Sequence, residues 1–155
     1  MRGLFYEDLL KVATSLNITV KELNLETRDG FCKGNRIAIS KALGTDAERL
    51  CILAEELGHS LTTVGDITNQ TKINNRKQEL VARRWGYKKL IGIVDLINAH
   101  NNGCTHSYEV ADYLDVTESF LEETIEYYKC KYGMYYEIDN YLVYFEPNLG
   151  ILEKF

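Results

Sequence analysis

The residues best placed to do chemistry stand in one short run, Leu53-Ala54-Glu55-Glu56-Leu57-Gly58-His59. Glu55 and His59 are four apart, so on a helix both project from one face, with Glu56 between them in sequence. This is the frame of the H-E-x-x-H helix with Glu in place of the first His. In that frame two side chains one turn apart grip a zinc ion, and the intervening Glu takes a proton from water at the metal. A carboxylate oxygen is an acceptable zinc ligand, harder than imidazole, so Glu55 can stand in chemically for His. On spacing alone the run also fits an ordinary set of charges on a solvated helix face.

Two features outside the ligand set favour the metal reading. Gly58 is a poor helix residue, costing about 1 kcal/mol against Ala, so its place inside a helix wants a reason, and close approach of a neighbouring helix is a good one. The next long helix carries Glu79, Ala82 and Gly86 at helical spacing, a small-residue face with an acid at its end. Packed against Gly58, that face would deliver Glu79 as a third ligand.

The elements that must position these residues follow from the hydrophobic pattern. Tyr6 to Leu16 reads as a short amphipathic helix and Ile18 to Leu23 as a strand. Phe31 to Cys32 and Arg36 to Ser40 read as short strands about a turn at Gly34-Asn35, after a turn signal at Arg28-Asp29-Gly30. Residues 1–40 therefore predict a helix and a small antiparallel sheet. Thr45 to Glu48 has the form of a capping box, and the helix it opens runs to about Leu61 with Ala47, Leu50, Ala54, Leu57 and Leu61 on its buried stripe. Thr62 to Asn75 is expected as a loop, followed by helices over Arg76 to Leu90 and Ile93 to Ala99. Asn101-Asn102-Gly103 is the stop. Two more helices, His106 to Leu114 and Thr117 to Lys131, share a tight connection. Tyr135 to Ile138 and Tyr141 to Phe145 flank Asp139-Asn140 as a hairpin. The tyrosines of this end supply area for a core rim or a protein groove.

Composition sets the bounds. The chain has 155 residues, 45% hydrophobic and 26% charged, enough for one soluble domain with a real core. No apolar run approaches the roughly 18 residues of a membrane span. Charge arrives early, at Glu7 and Asp8, so no signal-peptide core is expected and the protein is placed in the cytoplasm. With 18 basic and 23 acidic residues the net charge is -5, a poor balance for gripping phosphate backbones. Four cysteines without a C-x-x-C pair read as buried free thiols in a reducing compartment.

Other residues have plainer readings. His100, Cys104 and His106 can be drawn as a metal cluster, but no second cysteine completes a ligand set, so loop solvation is expected. Asp66 is expected as a turn residue of Val64-Gly65-Asp66 rather than as an outer carboxylate of the site. Ser107 to Lys131 resembles a helix-turn-helix, yet its second helix carries Glu118, Glu122, Glu123 and Glu126, which repel phosphate. It is read as a structural or partner-binding helical hairpin. Arg83-Arg84 and Lys88-Lys89 are read as a solvated face, or as partners for acids of the preceding helix.

The chain resembles the ImmA/IrrE family of metallopeptidases, in the compact form found in phages and integrative elements. The resemblance rests on Tyr6-Glu7-Asp8-Leu9-Leu10, Asn35-Arg36-Ile37-Ala38-Ile39, the Leu53 to His59 run, Asn75 to Trp85 and the Tyr-rich end, and so covers nearly the whole chain. It implies zinc held by Glu55, His59 and Glu79, with Glu56 as general base. The family's standard motif has His where Glu55 stands, and the carboxylate-rich set admits other divalent metals. The resemblance also implies a protein substrate, a helix-turn-helix repressor of a phage or mobile element, and no direct nucleic-acid contact. The fold expected is α+β: a zincin-like N-terminal part of helix, small antiparallel sheet and active-site helix, then a mostly helical C-terminal half closed by a β-hairpin. It is expected as one domain over 1–155, with the metal-site core at about 1–92 and the helical hairpin plus β-hairpin at about 93–155. The function expected is a zinc-dependent endopeptidase acting as an antirepressor. The alternative is a catalytically weak or inactive member that acts as a protein-binding antirepressor or adaptor.

Overall fold

Helix α1 (Tyr6–Ser15) buries Tyr6, Leu9 and Ala13, and the chain reverses at Asn17, in the left-handed region with φ 60, to enter β1 (Thr19–Leu23). The computed structural model describes residues 3–62 and 72–154, without the side chains of 72–74. Strands β2 (Gly30–Lys33) and β3 (Arg36–Ser40) form the expected antiparallel hairpin about Gly34, whose φ of 61 suits glycine. The sheet order is β1-β3-β2, and β1 runs parallel to β3. The sheet is thus mixed rather than wholly antiparallel. Residues 24–29 carry the chain past the centre to the far edge, so the returning strand β3 inserts beside β1 and runs the same way. Ile37 and Ile39 of this central strand are fully buried.

Helix α2 (Asp46–Thr62) begins as its sequence predicts: the Thr45 hydroxyl accepts from the Glu48 amide at 3.1 Å and donates to the Glu48 carboxylate at 3.3 Å. Its apolar residues Leu50, Leu53, Ala54 and Leu57 are buried without exposure. Helix α3 (Lys72–Leu90) starts a turn earlier than expected, so Lys72 to Asn75 are helical and not loop. Asn74 and Asn75 are N-cap types that draw the expected start to Arg76, and helix ends are the least specified part of a pattern. Val64, Gly65 and Asp66 lie outside the described residues.

Helices α4 (Ile93–Asn101), α5 (Ser107–Leu114) and α6 (Glu118–Tyr132) follow. Asp115, left-handed at φ 55, ends α5, and the Thr117 hydroxyl caps α6 by accepting from the Phe120 amide at 3.2 Å. The hairpin β4 (Tyr135–Ile138) and β5 (Tyr141–Tyr144) is as expected. A third strand, β6 (Gly150–Glu153), extends it into an antiparallel sheet of order β4-β5-β6. The result is an α+β fold. Buried residues from Tyr6 to Phe145 form one cluster. The tyrosine-rich stretch packs into it: the Tyr128 hydroxyl donates to the Ile91 carbonyl, and its ring lies 5.8 Å from that of Phe145. No described helix is long and apolar enough to cross a membrane.

Candidate metal centre

The centre is built on a seam between α2 and α3. A Cβ at Gly58 would lie 2.1 Å from the Ala82 carbonyl oxygen and 2.9 Å from its carbon, so only glycine fits there. One turn back in α2 and one turn on in α3, a Cβ at Gly86 would sit 3.4 Å from the Ala54 backbone, ordinary contact. The two helices therefore touch backbone to backbone, as the Gly58 and Glu79-Ala82-Gly86 pattern predicts. Side chains flanking so tight a seam are forced together.

Glu55, His59 and Glu79 are the residues it brings together. Each offers one ligand atom, and the three atoms lie within 4.8 Å of one another. His59 Nε2 is 3.3 Å from Glu79 Oε2. Two ligands each about 2 Å from a tetrahedral ion are about 3.3 Å apart, so this pair already has the spacing a zinc ion needs. His59 is largely buried and the two carboxylates are partly open to solvent, which leaves an approach to the site. The donor set of two carboxylates and one imidazole fits zinc and harder divalent cations alike.

The charges are arranged with some economy. Burial raises the Glu55 carboxyl above the usual carboxylate range; Arg83 opposes that rise, and the Glu79 charge adds to it. Glu56 stands beside this group on the sheet side of α2. Burial, then the Glu55 and Glu79 charges, push its carboxyl up to about 7, with Arg28 pulling the other way. A carboxyl poised there can both take and give a proton near neutrality.

Two contributors go beyond what the sequence singled out: Gly30 reads there only as a turn signal, and Arg83 is left between a solvated face and a partner for acids of the preceding helix. Gly30 opens β2 where the strand crosses Glu56: a Cβ there would be 2.6 Å from Ile52 Cγ2 and 3.1 Å from Glu56 Oε1. Gly30 reads in sequence as a turn signal, but a glycine at the head of a strand is also a sign of close backbone approach. Arg83 is the second. Its Nε is 3.6 Å from Glu55 Oε1 and 3.8 Å from Glu79 Oε1, so it pairs with acids of both helices rather than standing on a solvated face. Arg84 turns away and lies over the Tyr127 ring at 5.7 Å.

The remaining chemistry-bearing residues do not converge. His100, Cys104 and His106 all border a cavity of about 670 Å³ between α4, α5, α6 and β6, yet among the described residues only the Glu55 group has ligand atoms close enough to share an ion. All four cysteines are free, but only Cys51 is fully buried; Cys32 and Cys104 are half-buried and Cys130 is exposed. Cys32 stands on the short edge strand β2, Cys104 in the loop after α4, and Cys130 on the outer face of α6. On α6, Glu118, Glu122, Glu123 and Glu126 are exposed, and Glu123 accepts from the Tyr87 hydroxyl at 3.1 Å.

Comparison with known sequences agrees with this geometry. The family profile described as the IrrE N-terminal-like domain matches residues 13–126, which include both helices of the seam. No curated protein matches the chain significantly.

Proposed function

The chain belongs to the IrrE N-terminal-like family of metallopeptidase domains, the ImmA/IrrE family, and from that premise we propose that it is a zinc-dependent endopeptidase that cleaves a helix-turn-helix repressor of a phage or mobile element. The observation that carries the proposal is the convergence of Glu55, His59 and Glu79 with the Glu56 carboxyl beside them. Glu55, His59 and Glu79 would hold the metal. Zinc bound there supplies a Lewis acid that polarises a scissile carbonyl and activates water. The ionised Glu56 carboxylate accepts a proton from the attacking water and returns it to the leaving amide nitrogen. Gly30, by admitting β2 close to Glu56, fixes where that carboxylate stands.

The family and the surface both support a protein substrate. Strand β2 lies at an edge of its sheet, next to Glu56, and an extended peptide segment can pair with such an edge through backbone hydrogen bonds. A net charge of -5 and the exposed acids of α6 suit a protein partner better than a phosphate backbone. Four free thiols fit action in the cytoplasm. In this reading residues to about 92 are the catalytic core and about 93–155 an extension that braces it.

Glu56→Gln tests the proposal, because Glu56 serves as a base and not as a ligand. Mass spectrometry of a candidate repressor after incubation with zinc-loaded protein should show cleavage by the wild type and a loss of about 10²–10⁴-fold in the variant. Zinc affinity should stay nearly unchanged. Equal repressor inactivation in cells by both forms would reject the peptidase in favour of a non-catalytic antirepressor.

A further inference from the structure

Position 55 carries a carboxylate where the family's motif has a neutral imidazole, and the structure shows what stands opposite it. Glu79 divides its two oxygens: Oε2 is 3.3 Å from His59 Nε2, and Oε1 is 3.8 Å from Arg83 Nε. Glu55 Oε1 is 3.6 Å from the same Nε. One guanidinium thus spans the two carboxylates of the site from outside, one on each helix. Arg83 is one turn from Glu79 on α3, and the Gly58–Ala82 contact presses that turn onto α2, so the guanidinium has a fixed base. Beyond it stand Tyr87 and Glu123, a hydrogen-bonded pair that adds a further carboxylate to the neighbourhood. Glu55, Glu56 and Glu79 repel one another, and the Arg83 charge opposes that repulsion at Glu55.

We infer that Arg83 is a positioning residue of the metal centre, which holds the Glu55 and Glu79 carboxylates facing His59 and offsets the charge that Glu55 brings to the ligand set. The inference rests on the metal-site reading. One guanidinium charge at ion-pair distance from both carboxylates offsets both and leaves Glu79 Oε2 facing His59. Partners of ligand side chains typically change metal affinity 10–100-fold when removed. A residue at position 55 that needs no counter-charge should make Arg83 less important. That coupling separates the proposed role from a general structural one.

The test measures zinc affinity by competition with a chromophoric chelator. The proteins are the wild type, Arg83→Gln, Arg83→Lys, Glu55→His and the double variant Glu55→His/Arg83→Gln, each with a thermal melt of its metal-free form. Arg83→Gln should weaken zinc binding about 10–100-fold. Arg83→Lys should recover much of the loss, because it keeps the charge. Melts should change little, since the Arg83 side chain is 46% exposed and such pairs contribute little to folding. In the Glu55→His background the loss from Arg83→Gln should shrink, because only Glu79 remains to be held. Zinc binding by Arg83→Gln as tight as the wild type, or an equal loss in both backgrounds, overturns the inference. So does a loss that follows a fallen melting temperature in both Arg83→Gln and Arg83→Lys. A wild-type protein that binds no zinc overturns the metal-site reading itself, and with it this role for Arg83.

Discussion

Among the described residues two regions gather metal-type residues, and one of them brings the ligand atoms together. At the α2–α3 seam, Gly58, Ala82, Ala54 and Gly86 let the backbones touch, and three ligand atoms fall within 4.8 Å of one another. Around the C-terminal cavity, His100, Cys104 and His106 are no poorer in ligand chemistry. They hang from a helix end and a loop at the border of a cavity that the larger side chains Leu96, Val110, Leu121 and Phe145 also line. The difference teaches that a ligand set is made by the small residues beside it. Ligand types set what an ion would prefer; backbone distance sets whether there is a place for it.

The comparison breaks most sharply at Gly58. Replacing it by Ala puts a methyl carbon 2.1 Å from a carbonyl oxygen, and a helix backbone cannot move aside as a side chain end can. Overpacking a tight site costs typically about 1–3 kcal/mol, and Gly58→Ala should lie at or above the top of that range. Parting α3 from α2 also separates Glu79 from His59, so zinc affinity should fall with stability. Gly86→Ala, whose methyl would find 3.4 Å of room, should cost little in either. Denaturant unfolding and zinc titration of the pair check this, and equal behaviour of the two variants would refute the seam as the organiser of the site.

That contrast also marks how far the sequence could be read. The seam was legible because helix glycine is costly, so Gly58 had to have a reason, and because Glu79, Ala82 and Gly86 recur at one helical spacing. Local signals served equally well at Thr45, at the Gly34 turn and at the Asp139 hairpin, where the partner residues lie within a few positions. The misses are of another kind. Parallel pairing of β1 with β3 joins segments separated by a whole strand, and β6 is four residues with no alternation to betray it. Gly30 matters through Glu56 and Ile52 of another element, and for Arg83 the sequence left open whether it stands in solvent or pairs with Glu55 of the preceding helix, as it does. A side chain's partner across an interface leaves no trace in its own neighbours in sequence. Helical spacing and the small-residue face supplied the three ligands, and left the guanidinium that balances them as one of two alternatives.

A smaller effect separates the seam from the rest of the core by pH. The Glu56 carboxyl is raised from 4.5 to about 7 in the folded protein. Between those values the native state keeps a proton that the unfolded chain has released. Metal-free protein should therefore be most stable below that window from this group, and lose stability as pH rises through it, on the order of 3 kcal/mol in all. Glu56→Gln cannot ionise, so its stability should fall less across the same range and exceed that of the wild type at pH 8. Urea unfolding at intervals from pH 5 to pH 8, with chelator present, reads the difference. Parallel curves for the two proteins would mean that the seam does not bury a charge at Glu56.

The smallest expected effect is none at all, and it sharpens the comparison from the other side. His100 and His106 are exposed, and the His106 ring stacks on Tyr108 at 5.4 Å, an arrangement that occupies its face but does not aim its nitrogens at a partner ligand. The Cys104 thiol donates to the Glu109 carbonyl at 3.5 Å, and burial raises its ionisation above the ordinary thiol range, with the Glu109 charge adding to the rise. A thiol must ionise to bind zinc well, so this one is disfavoured as a ligand. The combined variant His100→Ala/Cys104→Ala/His106→Ala should bind one zinc ion with unchanged affinity and cleave as the wild type does. If titration of the wild type shows a second equivalent of zinc that this variant loses, then loop residues around the cavity can assemble a site without backbone contact. The rule drawn from the seam would then fail within the same chain.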